Sequence, residues 1–502
     1  MGDDTKLPDL DAISDPAELR SLMSAQQDMI VDLQAQLAEM RSMLFGKSSE
    51  RMPPIEQEVR KRRIKKGKKG KKADYRLKTR QKRRKRQEQK CSVPTEEVLH
   101  PVAESELHCP HCHGARFGEL GDGEISFEWE YVPGRFVRFK HVQQKKACSC
   151  GGHVVTAAAP PRVSDGVKYG PGFHAHTVVA KMGDAIPFYR LAKRLSREGI
   201  PISRSTLCDI FHRCASLLAP LHARMLELVA IEQYVNADET PLRVQAKGKT
   251  RRAYIWDFIS DKLVVYVYSP GRSGQTPVDV LGDSAGFLQV DGYSGYNSVT
   301  VPGQRIRVGC WAHARRYFWK ALETEPELSR WVLDKIVELY EVEYDAAEQE
   351  VLGTERHLSL RRARSGPILR TLERWLTEQA PQHPPKGQLG KAITYARNNW
   401  ESLSVFLEDA RLSLDNNVSE RQLRIVALGR KNFLFVGHDA AGENLAVLQS
   451  LVASCDINGV NPEAYLTDVL MRVQTHPHSA LDELLPHRWQ PPADPVGEPA
   501  TP

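Results

Sequence analysis

YVNADETPLRV at residues 234–244 and FLQVDGYS at residues 287–294 each begin with a short run that predicts a β-strand. The first run ends at Asp238 and the second at Asp291. A carboxylate beside an apolar strand is unfavourable unless something binds it, and sites in α/β proteins gather at the carboxyl ends of strands. We therefore predict that the two aspartates face each other across a divalent cation such as Mg²⁺ (or Mn²⁺), because Mg²⁺ prefers oxygen ligands.

The sequence around these aspartates predicts an α/β unit over residues 230–450. Alternating β-branched and aromatic residues favour a hairpin of Ala253–Ser260 and Leu263–Tyr268, and a fifth strand is expected at Arg305–Gly309. Helices are expected at Pro277–Leu281 and Cys310–Leu322. Such alternation indicates a mixed sheet with helices. Residues 325–410 are charged and helical in pattern, which predicts a helical insertion in this unit.

A metal site of this kind needs a third acid. We select Glu420, on a helix predicted from Asn416 to Leu428 with Gly429 as its stop. Arg424 lies one turn later on the same face and could bind a phosphate. Asp415 is the second candidate, and the alternative reading of Glu420 is a surface ion pair with arginine.

The first 92 residues combine two patterns. Hydrophobic residues with heptad spacing predict a coiled coil over residues 16–50, and hence a homo-oligomer; a single amphipathic helix is the alternative. Residues 55–92 form a basic segment, and residues 60–90 alone hold 19 Lys or Arg against two acids. Such a segment favours DNA, which it binds by releasing counterions from phosphates. The alternative is a solvated linker.

Residues 93–157 are predicted to form a small zinc-binding unit. Two cysteine pairs could close a tetrahedral site for structural Zn²⁺; they are Cys109 with Cys112 and Cys148 with Cys150. The alternative is four thiols without a metal. The Cys-x-Cys spacing of the second pair is less usual than Cys-x-x-Cys.

A helix-turn-helix is predicted over residues 165–225. The first helix spans Phe173–Arg197 with a break at Pro187, and Ser203 could cap a second helix at Arg204–Ala219. Further candidates for DNA contact lie at the start of that second helix, after the fifth strand and around the Glu420 helix. They are Arg204, Ser205, His313, Arg315, Arg421, Arg424, Arg430 and Lys431. A packed turn for His313 and ordinary loop solvation for Arg430 and Lys431 are the alternatives.

The remaining features concern size and location. With 502 residues, the chain is too long for one compact core, so we expect a multidomain protein. Residues 451–502 should hold a C-terminal helix and a tail. No apolar run is long enough to span a bilayer, and the start MGDDTKLPDLDAISD is unlike a signal peptide. We expect a cytoplasmic protein that does not bind membranes.

The motifs together resemble those of the large transposase of insertion-sequence family sixty-six, of the Asp-Asp-Glu transposase class. The resemblance covers almost the whole chain and keeps the order of the motifs. They are MLFGKSSERM (43–52), the two cysteine pairs, LSREGIPISRSTL (195–207), ADETPLRV (237–244), VDGYSGYN (290–297), GCWAHARRYF (309–318), LDNNVSERQLR (414–424), GRKNFLFVG (429–437) and DELLPHRW (482–489). The second cysteine pair departs from the Cys-x-x-Cys expected of the family.

The resemblance implies an RNase H-like catalytic core in which Asp238, Asp291 and Glu420 are the metal-binding triad. It implies hydrolysis at the ends of an insertion sequence, followed by attack of the released 3′-hydroxyl on target DNA. It also implies that small accessory proteins of the same element often accompany the transposase. Two rival functions remain open, a DNA-binding regulator without catalysis and a metal-dependent nuclease that only hydrolyses. Tyr293 and Tyr296 would suit a tyrosine recombinase, which explains the carboxylates less well.

Overall fold

The computed structural model describes residues 29, 52–65, 136–147, 154–164 and 168–491. The predicted coiled coil (apart from Met29), most of the basic segment, the four predicted zinc ligands and the end of the tail lie outside the described residues. Contacts divide the chain into two units, residues 1–59 with 141–502, and residues 60–140. Of the second unit the structure describes residues 60–65, which are helical, and residues 136–140, which have no regular secondary structure.

Two sheets are present in the described part of the first unit. A two-stranded antiparallel hairpin precedes a five-stranded mixed sheet with the order β5-β4-β3-β6-β7. Strands β3, β4 and β5 are antiparallel, whereas β3, β6 and β7 run parallel. The strands are β1 Lys145–Ala147, β2 Val154–Thr156, β3 Tyr234–Ala246, β4 Lys249–Ile259, β5 Val264–Ser269, β6 Gly286–Gln289 and β7 Arg305–Val308. The predicted mixed α/β sheet is confirmed.

Strand β3 is longer than predicted. It continues from Tyr234 to Ala246 because every residue from Asn236 onward pairs with β4. Beyond Thr240, buried and exposed residues alternate, as expected of a strand with one solvated face. Asp238 therefore lies inside β3, which corrects the prediction that it follows the strand. Asp291, in contrast, follows β6 as predicted.

Helices cover the sheet and form the insertion. They are α1 Ile55–Lys65, α2 Pro171–Met182, α3 Phe188–Arg197, α4 Arg204–Ala230, α5 Gln275–Leu281, α6 Trp311–Ala321, α7 Pro326–Glu348, α8 Glu355–Leu360, α9 Gly366–Gln379, α10 Gln388–Asn398, α11 Trp400–Ser404, α12 Asn417–Phe433, α13 Asp439–Asn458 and α14 Pro462–Arg472. Short 3-10 segments lie at Ser294–Val299, Ala380–Gln382, Val405–Leu407 and His478–Leu484, and a π-helical turn lies at Arg361–Ser365.

The predicted pair of helices before the five-stranded sheet is present, the first as α2 and α3 and the second as α4, and α4 packs into the core of that sheet. The break at Pro187 is confirmed, and the Ser203 hydroxyl accepts the Thr206 N–H at 3.1 Å, as predicted for a cap. Helix α4 runs past the predicted end at Ala219 because it buries apolar residues along its second half, including Leu221 and Val229. These side chains belong to one core with strands β3 to β6 and helices α13 and α14.

The insertion predicted at residues 325–410 is helical, with helices α7 to α11 in that range. It has a second core, which also includes Trp311 and Phe318 of α6. Arg361 is buried beside Phe406 of this core, where it pairs with Glu343 at 2.7 Å and donates to the carbonyl oxygens of Phe406 and Leu412. All the N–H groups of this guanidinium donate hydrogen bonds, so Arg361 connects helix α7 to the end of the insertion.

Helix α12 does not stop at Gly429 as predicted, but ends at Phe433. A Cβ at Gly429 would meet the Phe433 ring at 2.7 Å, so the glycine permits close packing and does not end the helix. The end comes at Leu434, which has a positive φ of 68°. As a result, Arg430 and Lys431 lie in the last turn of α12, not in a loop. Among the described residues, no helix is both long and apolar enough to cross a bilayer.

Candidate active site

Asp238 lies near the centre of β3, opposite Asp257 of β4. Its backbone N–H donates to Asp257 Oδ1 at 2.9 Å, and its own Oδ1 accepts the Glu239 N–H at 2.8 Å. Asp257 is completely buried, and burial raises its pKa well above the ordinary range. The sheet thus holds two neighbouring carboxyl groups at fixed positions.

Asp291 is held by the loop after β6. Its Oδ1 accepts the Tyr293 N–H at 2.8 Å. Arg307 of β7 donates to the carbonyl oxygens of Asp291 at 2.7 Å and Tyr293 at 2.6 Å. Because β6 and β7 are parallel neighbours, the arginine stabilises the turn that presents the carboxylate.

Glu420 is in the first turn of α12 and is about one-third exposed. Arg316 of α6 donates to its Oε1 at 3.1 Å. In the second candidate, Asp415, both carboxylate oxygens accept hydrogen bonds. They accept from the Tyr340 hydroxyl at 2.8 Å and from the Asn417 N–H at 3.2 Å. The geometry therefore favours Glu420 as the acid that remains available to a ligand.

Asn416 connects the start of α12 to the strand that carries Asp238. Its side-chain amide donates to the Ala237 carbonyl at 2.8 Å and accepts from Asn236 at 2.9 Å. Asn416 is 1% exposed, so neither bond competes with water. The placement of Glu420 relative to Asp238 depends on this buried amide.

The three predicted acids are close enough to influence one another. Burial, then the charge of Glu239, and then smaller contributions from Asp291 and Glu420 raise the pKa of Asp238 to about 7. Asp291 and Glu420 are therefore near enough to Asp238 for their charges to act on its carboxyl group. Among the described residues, however, no three His, Cys, Asp or Glu side chains are gathered into a ready coordination set.

Glu239 is a site residue that the sequence reasoning missed. Its carboxylate accepts the Tyr296 hydroxyl at 2.8 Å and Arg272 Nε at 2.7 Å, and burial raises its pKa. The guanidinium of Arg272 lies 3.8 Å from the Tyr293 ring centroid. Only its position next to Asp238 could have drawn attention to Glu239. Asp257 had a clearer signal, since it interrupts the apolar run Trp256–Phe258.

His313 lies beside the acids at the start of α6. Burial lowers its pKa, as does the charge of Arg316, whereas Asp291 and Glu420 raise it. Its Nδ1 is buried and has no hydrogen-bond partner within the described part of the chain. The histidine could therefore orient a ligand at the carboxylates.

The other predicted DNA-contact residues differ in their surroundings. Arg421, Arg424 and Lys431 are exposed on α12, and Arg204 and Ser205 are exposed at the start of α4. Arg430 is partly buried and donates to the Pro241 carbonyl at 2.5 Å.

Arg315 is placed differently from the prediction. It is 3% exposed and pairs with Glu58 of α1 at 2.9 Å, and it also donates to the Pro53 carbonyl at 2.8 Å. Unlike the exposed arginines of α12, Arg315 is therefore buried against the start of α1, and its contact with DNA stays a prediction.

Aspartates carried by neighbouring strands of a sheet, beside exposed arginines on a nearby helix, are typical of proteins that act on nucleic-acid phosphodiesters with divalent metal ions. Comparison with family models agrees with this class. Residues 166–444, more than half of the chain, match the model described as transposase IS66 family. Residues 450–487 match the IS66 C-terminal element, and residues 106–151 match the zinc-finger binding domain of transposase IS66. The chain belongs to the IS66 family of transposases.

Similar proteins include two from Sinorhizobium fredii. The uncharacterized protein y4jD is 32% identical over 416 residues, which cover 78% of this chain and 80% of that protein. The uncharacterized protein y4hP is 29% identical over 415 residues, which cover 78% of this chain and 74% of that protein. The similarity therefore extends over most of both molecules.

Proposed function

We propose that this protein is a DNA transposase that binds the ends of an insertion sequence and catalyses metal-dependent cleavage and strand transfer. The observation that carries the proposal is geometric. Asp238 lies two residues beyond Asn236 on β3, Asp291 lies two residues beyond Gln289 on β6, and Asn236 pairs with Gln289 across these parallel strands. Asn416 joins the start of the Glu420 helix to Asn236 and Ala237. Acids placed on neighbouring elements in this way favour a cation between them. The mixed sheet, with antiparallel strands first and parallel strands after, supports an RNase H-like core.

The donor set fits Mg²⁺ or Mn²⁺, because all three acids offer oxygen ligands. Asp238, Asp291 and Glu420 would hold the ions. When bound, such ions activate an attacking oxygen and stabilise a leaving oxygen. The chain itself fixes Asp238 through the sheet, orients Asp291 through Arg307, and places the exposed Arg421 and Arg424 on the helix of Glu420, where they can bind phosphates.

DNA recognition is assigned to the segments before the sheet. Arg204 and Ser205 are exposed at the start of α4, where the second helix of a helix-turn-helix would meet DNA. The zinc-finger match over residues 106–151 supports structural Zn²⁺; our proposed ligands are Cys109, Cys112, Cys148 and Cys150. The basic segment would add phosphate contacts, the segment at residues 16–50 would join protomers, and accessory proteins of the same element would assist.

The test is the transposition frequency of a marked mini-element in cells that produce wild type, Glu420→Gln or Glu443→Gln. Glu443 is exposed on α13 and serves as the matched control. We expect movement with wild type and with the control, but none with Glu420→Gln, although that variant still binds end DNA. Equal movement with all three proteins would exclude Glu420 as a ligand. End binding without cleavage by wild type, with the accessory proteins supplied, would favour the regulator.

A further inference from the structure

An open cavity of about 480 Å³ lies between the loop after Asp291 and helix α10 of the insertion. Its volume is in the range of ligand pockets, roughly 300–1,000 Å³. Its lining is polar and aromatic, and none of our site predictions used it. The lining includes Ser294, Asn297, Arg307, Tyr317, Lys391 and Asn398.

The cavity contains an aromatic surface. The rings of Tyr317 and Tyr395 stack with their centroids 4.5 Å apart and their planes at 23°. Tyr317 is 38% exposed, on a helix whose other face packs against the insertion core. An exposed ring in a polar cavity can stack on a nucleobase. Such stacking does not depend on the DNA sequence, because every base has a flat π-face.

Polar groups of two kinds accompany the rings. Lys391 and Asn398 are exposed on α10, and the structure shows no ion pair for Lys391 within its described part. Arg307 bonds Asn297 at 2.7 Å and the carbonyl of Asp291, while its buried Nε has no partner among the described residues. A cation suits a phosphate, and carboxamides suit the edge of a base.

The cavity begins next to Asp291 in the chain. Gly292 lines it and follows Asp291 in the chain. A Cβ at Gly292 would meet the Tyr395 ring at 2.7 Å, so the insertion packs closely against the loop that presents Asp291. A strand whose phosphate lies at Asp291 would therefore place the neighbouring nucleotide beside this opening.

We propose that the cavity binds one unstacked nucleotide of the DNA strand that is cut, with its base on Tyr317 and a phosphate at Lys391. This inference rests on the proposed function, because it takes the carboxylates as the cleavage site. It assigns the insertion a direct role in holding DNA next to the cut.

The test is equilibrium binding of the full chain in EDTA, so that no cleavage occurs. The probes are a duplex with an oligothymidine single-stranded arm and the same duplex with a blunt end. We expect Tyr317→Leu and Lys391→Gln each to weaken binding of the armed duplex by about fivefold or more, from the loss of stacking or of a phosphate contact. Blunt-end binding should not change. Tyr317→Phe, which keeps the ring, should bind like wild type.

Arg397→Gln is the matched charge control, since Arg397 is exposed on α10 but does not line the cavity. Placing 5-iododeoxyuridine in the arm should give a photocrosslink to the peptide that contains Tyr317. Equal losses on both duplexes, or losses with Arg397→Gln of the same size, would overturn the proposal. Displacement of the arm by free thymidine monophosphate at similar concentration would assign the cavity to free nucleotides instead. These outcomes do not depend on catalysis, so a failure of the cleavage test remains a separate result.

Discussion

Asp238 and Glu420 are proposed ligands of the same ions, but their surroundings differ. Asp238 is enclosed by β3 and β4, with its backbone fixed by Asp257. Glu420 is partly exposed at a helix end and pairs with an exposed arginine, Arg316. The difference indicates that the sheet supplies a fixed half of the site, while α12 supplies a half that can adjust when metal and DNA bind.

The largest expected effect tests whether both halves are needed. Asp238→Asn should lower the strand-transfer rate by about a thousandfold, which corresponds to about 4 kcal/mol in the barrier, because a neutral amide cannot neutralise a metal ion. Cleavage and strand transfer of labelled end DNA would measure it. A rate within tenfold of wild type would show that the sheet half is not a ligand.

The second prediction concerns the pH dependence of stability that Asp238, in the fixed half of the site, confers on the protein. Because the folded-state pKa of Asp238 is raised to about 7, the protonated form stabilises the metal-free protein at low pH, and this contribution is lost as the pH rises towards 7. Asp238→Asn cannot ionise. We therefore expect the variant to gain up to about 4 kcal/mol in the free energy of unfolding relative to wild type at pH 8.

Urea unfolding with EDTA at pH 5 and pH 8 measures this difference. At pH 8, Mg²⁺ should stabilise wild type more than the variant, since binding to the folded state adds to its stability. A difference between the two proteins that does not grow with pH would contradict the raised pKa of Asp238.

The third prediction concerns Asn416, which connects the two halves of the site. Asn416→Leu removes two buried hydrogen bonds between α12 and β3 and leaves Asn236 without its acceptor, which should cost about 2 kcal/mol in the free energy of unfolding. The Mg²⁺ concentration needed for half-maximal cleavage should rise as well. Asn417→Leu is the control, because its side chain forms no hydrogen bond within the described residues. Equal effects of both variants would argue against the connection.

The smallest effect concerns the adjustable half. Arg316→Gln removes a solvent-exposed ion pair, so stability should change by less than about 1 kcal/mol. Freed from this partner, Glu420 should bind Mg²⁺ more readily, and metal titration by calorimetry would show a lower dissociation constant. Weaker metal binding would mean that Arg316 positions Glu420 and does not compete for it.

The sequence predicted most strands and helices of the core because their patterns are local. The predicted end of β3 was wrong. Thr240–Val244 is a half-exposed strand, and its pairing with β4 outweighs the tendency of Pro241 to end a strand. Glu420 stood out mainly through the family resemblance, since a surface Glu–Arg pair looks the same locally.

Other parts of the site depend on contacts that no local pattern reveals. The enclosure of Arg315 comes from Glu58, far away in the chain. The approach of Tyr395 to Gly292 likewise joins segments separated by most of the insertion. Asp257 could have been predicted as a site residue from the sequence. Burying a carboxyl group between Trp256 and Phe258 in a strand costs free energy unless the group has a partner.

The contact between Gly292 and Tyr395 also limits how this sequence can change over time. A side chain at position 292 and an aromatic ring at position 395 cannot occupy the same space. The two positions should therefore covary among relatives, with a larger residue at one accompanied by a smaller residue at the other. We therefore expect that the insertion and the loop after Asp291 can be exchanged between homologues only together.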